Sequence, residues 1–334
     1  MQQPHIVSRG HTRPLTEISF VQDPSSGSSI LVSSAHDKLP QIRNGETGDW
    51  VGTFQGHKGA AWSAKVDSLT RTLAATAAGD FTAKLWCATT GKELHEFKHK
   101  HVVKSIDFSH DSARIASGCQ DGLVRLFDTA RPEAGELHQL TVGAKSSEAP
   151  TKVVFAGEDS CYLLVGTRQG TLQLWDARGA GAAAKQVNLL TSVAPPAGVS
   201  EPGAKSMPAP TTAAVMDVEL SPDKNTALVT VGRKVCCVSL PDLSLQWEYA
   251  MPDPLSFSEE GGASLHPIDG SRFIAGGSDL WLREFDVKSG EVLRTFKGHH
   301  GPVRCIRYHP SGDMVASGSE DATIRLWDLR ASST

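Results

Sequence analysis

The sequence predicts an all-β protein, a seven-bladed β-propeller closed by its own N-terminal strand. Three observations carry that expectation. One supersecondary unit recurs along the chain, its copies are spaced by little more than forty residues, and glycine makes up 31 of 334 residues, above the roughly 7% average. Repeats of that length mark propeller blades, and the glycine excess fits one set of tight turns per blade.

The elements follow in chain order. Pro4 to Arg9 precedes the first Gly-His pair, Gly10-His11, where an outer strand precedes later pairs (VGTFQGH, LRTFKGH). His5 to Ser8 is therefore expected to pair with the far end of the chain. The second unit, GHKGAAWSAKVDSLTRTLAATAAGDFTAKLWC, and the third, HKHVVKSIDFSHDSARIASGCQDGLVRLFD, alternate apolar and polar residues in short runs between turn residues, the pattern of half-buried strands. The last unit shows it most clearly: strand VRCIRY, turn PSGD, strand MVASGS, turn EDA, strand TIRLWD. The third strands end at Asn44, Cys87, Asp128, Asp176, Ser239, Asp286 and Asp328, giving spacings of 43, 41, 48, 63, 47 and 42 residues. Six intervals make seven units. The long interval holds APPAGVSEPGAKSMPAPTT, residues 194–212, whose Pro, Ala, Gly and Ser bury little and predict a flexible insertion between blades four and five. After Asp328 only six residues follow, too few for an outer strand, so the N-terminal strand is expected to complete blade seven and cover its edge.

Composition bounds the function. A net charge of -4 (33 basic against 37 acidic residues) argues against broad electrostatic capture of nucleic acid. No apolar run approaches ~18 residues and MQQPHIVSRGH has no basic-then-apolar order, so a soluble intracellular protein without membrane insertion is expected. The six cysteines form no C-x-x-C pair and read as buried free thiols with no redox or metal role.

Aligning the copies with one another exposes a polar set. Blade seven has His299, Ser317, Asp321 and Trp327; blade two has His57, Thr76, Asp80 and Trp86. These are expected to form a structural hydrogen-bonded chain from turn Asp through His and hydroxyl to indole. Blade one has His11, Ser33 and Asp37 with Arg43 for Trp; blade three has His99, Ser117 and Asp121 with Phe127; blade four has Trp175 with Ser146 and Gln169. Blades five and six lose most of the set and should open first.

One motif suggests catalysis. His95 to His99, HEFKH, matches H-E-x-x-H, which holds zinc only when its histidines lie one turn apart on a helix. Here it occupies an outer-strand position, where i and i+4 lie about 13 Å apart. No catalytic residue, metal or cofactor is assigned, and no G-x-S-x-G or P-loop occurs. What is left is recognition. Residues just before the turn Asp (His36, Gly79, Gln120, Ser278, Glu320) and early in the inner strands (Thr16, Trp62, Lys104, Arg304) should ring the central channel on one rim. Trp62, Lys58, Lys100, Lys104, Arg304, His36, Gln120 and Glu320 are the candidate partner-binding set, with Trp62 either an interface anchor or a packing residue between blades. The basic run Lys98 to Lys104 has no aromatic platform within it and reads as a solvated loop.

With a period of 40 to 45 residues and its G-H and W-D ends, the unit resembles the WD repeat. At blade level, RGHTRP (Arg9 to Pro14), GETGDWVGTFQGHKGAAW (Gly45 to Trp62), AATAAGDFTAKLW (Ala74 to Trp86), HKHVVKSIDFSHDS (His99 to Ser112), GHHGPVRCIRYHPSG and SGSEDATIRLW resemble the serine/threonine kinase receptor-associated, or unr-interacting, protein family. Arg43 in blade one and Gly232-Arg233 in blade five match that family's departures from the repeat. The resemblance covers about 1–193 and 213–330. It implies a non-catalytic scaffold in a survival-of-motor-neuron-type complex for spliceosomal ribonucleoprotein assembly, with Gemin and Sm proteins and RNA-binding proteins as partners and RNA contacted at most indirectly. A monomeric subunit in the cytoplasm, with the nucleus as a second location, and links to unr and to receptor signalling follow from the same resemblance. The sequence departs from the family's animal members in the 194–212 insertion and in ending just past the last blade, where they carry an acidic tail. The WD-repeat subunit of translation initiation factor three is the alternative, sharing an HTGAVW-like start of blade two, while DFTAK and HKH-VVK favour the first family. A metal-dependent hydrolase using HEFKH is the remote alternative.

Overall fold

The computed structural model describes residues 5–23, 25–143, 148–157, 159–179, 183–190, 213–240, 242–257 and 261–330. The 194–212 insertion and Ser146 lie outside them. The described residues form seven four-stranded antiparallel sheets, six built from strands consecutive in sequence. In the seventh, the outermost strand is His5–Ser8, paired antiparallel with Ile324–Asp328 so that His5 lies opposite Trp327 and Ser8 opposite Ile324. The ring closes on its own N-terminal strand, and the fold is an all-β seven-bladed propeller.

Alternation within strands builds the core. Adjacent Cys236 and Cys237 point to opposite faces of blade five, one into the cluster shared with blade four and the other toward blade six. Burial raises their thiols, that of Cys236 to about 12, so neither is a ready nucleophile. Cys119 and Cys305 are also buried, whereas Cys87 and Cys161 are only half-buried, and all six are free.

Six inner strands share an irregularity: the pairing register slips by one residue near the start, at Thr16, Trp62, Lys104, Thr151, Met216 and Arg304. A β-bulge bends the strand and re-aims the extra residue. Each of these six side chains lines the mouth of the central channel, together with Gly261 of blade six, whose inner strand has no slip. No helix among the described residues is long and apolar enough to cross a membrane.

A candidate interaction rim around the channel

Two blades carry the complete polar chain. In blade seven the Trp327 indole N–H donates to Ser317 Oγ (2.8 Å), Ser317 meets His299 Nε2 (2.8 Å), and His299 Nδ1 meets Asp321 (3.0 Å). Indole only donates, so Ser317 passes its own proton to Nε2 and His299 carries its proton on Nδ1, aimed at the carboxylate. Burial lowers the His299 pKa, consistent with a neutral ring. Burial alone would raise the Asp321 pKa, but His299, the Thr323 hydroxyl and the His300 backbone N–H hold it well below the carboxylate range. Blade two repeats the geometry with His57, Thr76, Asp80 and Trp86 at 2.7 to 3.0 Å, Thr82 and the Lys58 N–H holding Asp80. The glycine after each pair has a steric role, because a Cβ at Gly59 would run into the Asp80 backbone.

The other blades show what a substitution does. His11 reaches Asp37 (2.8 Å) and Ser33 (2.9 Å), but Arg43 in the Trp position turns to the N-terminal strand, donating to Ser8 Oγ (2.6 Å), Arg9 C=O (2.9 Å) and Gly48 C=O (3.2 Å). The departure from Trp thus sits where blade seven's outer strand crosses to blade one. In blade three, His99 keeps Ser117 (2.8 Å), but Asp121 pairs with Arg125 (2.7 Å). Leu123 stands where Thr82 and Thr323 steady the other aspartates through their hydroxyls. Blade six does likewise, Asp279 with Arg283 and Trp281 at the Thr position. Left without the carboxylate, His99 falls to a pKa of about 4 through burial and the Arg125 charge. In blade four Trp175 donates to Gln173 (3.0 Å).

The HEFKH segment is no helix: Glu93–Lys98 is the outer strand of blade two. Glu96 binds Lys84 (2.7 Å) and His99 binds Ser117. Among the described residues no group of three His, Cys, Asp or Glu could hold a metal.

The rim residues occupy equivalent places. The backbone N–H of His36, Gly79, Gln120, Arg168 and Glu320 each reaches the carbonyl two residues before its blade's bulge, Pro14, Ala60, Val102, Ala149 and Pro302, at 2.8 to 3.1 Å. At the channel mouth the half-buried Trp62 indole has the Lys104 ammonium 2.8 Å over its ring centre and His36 edge-on at 4.7 Å. Trp62 therefore packs between blades one and three while also lining a pocket of about 100 Å³. Arg304 lines the same pocket and pairs with Glu320 across the rim (3.3 Å). Burial lowers the His36 pKa, and the charges of Arg304, Lys104 and Arg13 lower it further against the opposing Glu320. Of the candidate set, Lys58, Lys100, His36, Gln120 and Glu320 do not line the pocket; His36 and Glu320 touch residues that do, and the two lysines are exposed on the loops leading into blades two and three.

Sequence reasoning missed the charged layer beneath. Glu17 meets Lys152 (3.0 Å) and Lys65 (3.3 Å), while Arg307 clasps Asp217 with two nitrogens (2.5 and 2.8 Å) and approaches Glu219 (3.7 Å). Enclosure raises Glu219 to about 7 despite Arg307, and Asp107 to about 6 despite Lys65. The signal was present in inner strands such as LTEISF, SAKV, VMDVEL and CIRY, where charged residues interrupt otherwise apolar runs.

Comparison with known proteins agrees with this architecture. The WD domain, G-beta repeat, family matches residues 48–87, 91–128 and 290–328. The chain is similar to the serine-threonine kinase receptor-associated protein of Homo sapiens, 37% identical over 98% of this chain and 83% of the relative, and to that of Dictyostelium discoideum, 37% identical over 98% and 99%. Eukaryotic translation initiation factor 3 subunit I of Schizosaccharomyces pombe is 26% identical over 96% of this chain and 95% of its own. With repeats, ring closure and near full-length identity in agreement, this WD-repeat propeller belongs to the serine-threonine kinase receptor-associated protein family.

Proposed function

We propose that the chain is a non-catalytic scaffold in a ribonucleoprotein-assembly complex of the survival-of-motor-neuron type, binding Gemin- and Sm-type proteins and RNA-binding proteins through its channel rim. It acts as a monomeric subunit of that complex, cytoplasmic with the nucleus as a second location. The observation that carries the reading is the rim itself: a half-buried indole flanked by His36 and Lys104, beside Arg304, around a shallow pocket. Aromatic and arginine side chains gathered at the centre of a rigid surface are typical anchors of protein interfaces. Family membership supports the choice of partners.

Affinity purification of the tagged full chain with mass spectrometry tests the reading, Gemin and Sm proteins being the expected recovery. Initiation-factor subunits would instead favour the second reading, a translation initiation factor three subunit, which the 26% identity to such a subunit supports. Recovery of neither sinks both. A Trp62→Ala, Arg304→Glu double variant with an unchanged circular-dichroism spectrum should lose the partners by at least tenfold in recovered amount.

A further inference from the structure

We propose a second binding site, for single-stranded RNA, on the same face at the junction of blades two and three. It is built from Phe81, His101, Lys58, Lys98 and Lys100. The basic run Lys98 to Lys104 has no Phe, Tyr or Trp of its own, but the fold brings a phenyl ring from the neighbouring blade onto one of its histidines. Phe81 stacks on His101, ring centres 5.5 Å apart and planes 29° from parallel. The His99 backbone N–H fixes the two loops together by donating to the Phe81 carbonyl (2.9 Å).

Phe81 leaves 44% of its surface exposed, an apolar ring open to solvent beside a loop that carries lysines. Its φ of +68° belongs to the turn itself, since Lys38 (+73°) and Ala322 (+63°) hold the matching left-handed position in blades one and seven and Gly122 (+87°) holds it in blade three. His101 accepts from the Val102 N–H through Nδ1 (2.8 Å), which leaves its neutral ring an Nε2–H donor.

The exposed charged side chains beside the stack are lysines, while the carboxylates there are partly buried. Lys58, Lys98 and Lys100 are exposed. The nearby carboxylates are engaged: Asp80 by His57 and the Lys58 N–H, Glu96 by Lys84, and Asp121 by Arg125. Lys104, the last lysine of the run, instead lies over Trp62 at the channel mouth. A base extending the Phe81–His101 stack, with lysines on the flanking phosphates, matches how proteins hold single strands. An acidic peptide would satisfy the lysines but make no use of the stacked rings.

The test is fluorescence anisotropy of the full chain with a fluorescein-labelled short oligouridylate, over a series of salt concentrations. Phe81→Gly, which keeps the turn and removes the ring, should weaken binding at least fivefold without lowering the thermal midpoint. Lys98→Glu with Lys100→Glu should weaken it further and flatten the slope of log affinity against log salt by about 1.4, the share of two phosphate contacts. The proposal is overturned if the oligouridylate does not bind, if a duplex of the same length binds as tightly, or if both variants bind like the parent. Equal competition by polyglutamate, with Phe81→Gly without effect, would reassign the patch to acidic peptides.

Discussion

At the scale of single residues, the same letter in two blades does two jobs. Asp321 and Asp121 occupy matching turns, each with an arginine four residues on, yet one serves a histidine and the other that arginine. The difference lies two residues further, in Thr323 against Leu123. Arg125→Gln should release Asp121 toward His99 and raise the His99 pKa from about 4, as read by imidazole titration in NMR. The hydroxyl at the centre of each chain can be ranked in the same way. Ser317→Ala strands both the Trp327 indole and His299, and is expected to cost about 2 to 3 kcal/mol in urea unfolding. Ser117→Ala strands His99 alone, because Phe127 has no N–H to satisfy, and should cost about 1 kcal/mol. The identities of these residues could be read from the repeat alignment. Which partner each chose could not, since that depends on a hydroxyl reaching a carboxylate across a turn.

At the scale of strands and blades, the crossing of the N-terminal strand explains blade one. Arg43 is 2% exposed and has no carboxylate partner among the described residues; it is held by oxygens of Ser8, Arg9 and Gly48. Arg43→Trp, which restores the repeat's usual residue, should therefore destabilise by roughly 2 kcal/mol or more, because it removes the tie to the Arg9 carbonyl, leaves the Ser8 hydroxyl only its bond to the Gly48 carbonyl, and overpacks the site. Calorimetry showing stabilisation would refute that account. Blades five and six replace the polar chain with apolar contact. Val229 and Val238 of blade five, and Ala275 and Phe285 of blade six, stand in register where blade seven has Ser317 and Trp327. Hydrogen exchange should find residues 213–290 the least protected of the ring, and protection there above that of blade seven would contradict it.

At the scale of the whole molecule, the ring depends on its seam and on its charged channel. Deleting residues 1–9 removes the outer strand of blade seven and uncovers the edge of Ile324–Asp328. The thermal midpoint should fall by roughly 10 °C or more, and light scattering should detect concentration-dependent association through that edge. The channel links blades one, two, four, five and seven through Glu17, Lys65, Lys152, Asp217 and Arg307. Glu219 faces Arg307, Asp217, the Ser264 hydroxyl and the Leu265 N–H, and its pKa rises from the usual 4.5 to about 7 because enclosure outweighs the arginine. A carboxyl raised on folding contributes stability that is complete below pH 4.5 and lost as pH rises to about 7. Glu219→Gln should accordingly raise the thermal midpoint by a few degrees at pH 8 and leave it nearly unchanged below about pH 4.

The sequence by itself determined the number of blades, the strand that closes them and the family, because each is written in local periodicity and in the phase of a repeat. It also placed Trp62, Lys104 and Arg304 on one rim, since an early position in each inner strand is a local coordinate. The tertiary structure alone decided what those positions meet. The bulges turn them into the channel mouth, and the ring brings Glu17 within 3.0 Å of Lys152 and Phe81 onto His101. Such contacts join residues of different blades, and their distances are set by closure of the ring, which no single repeat encodes.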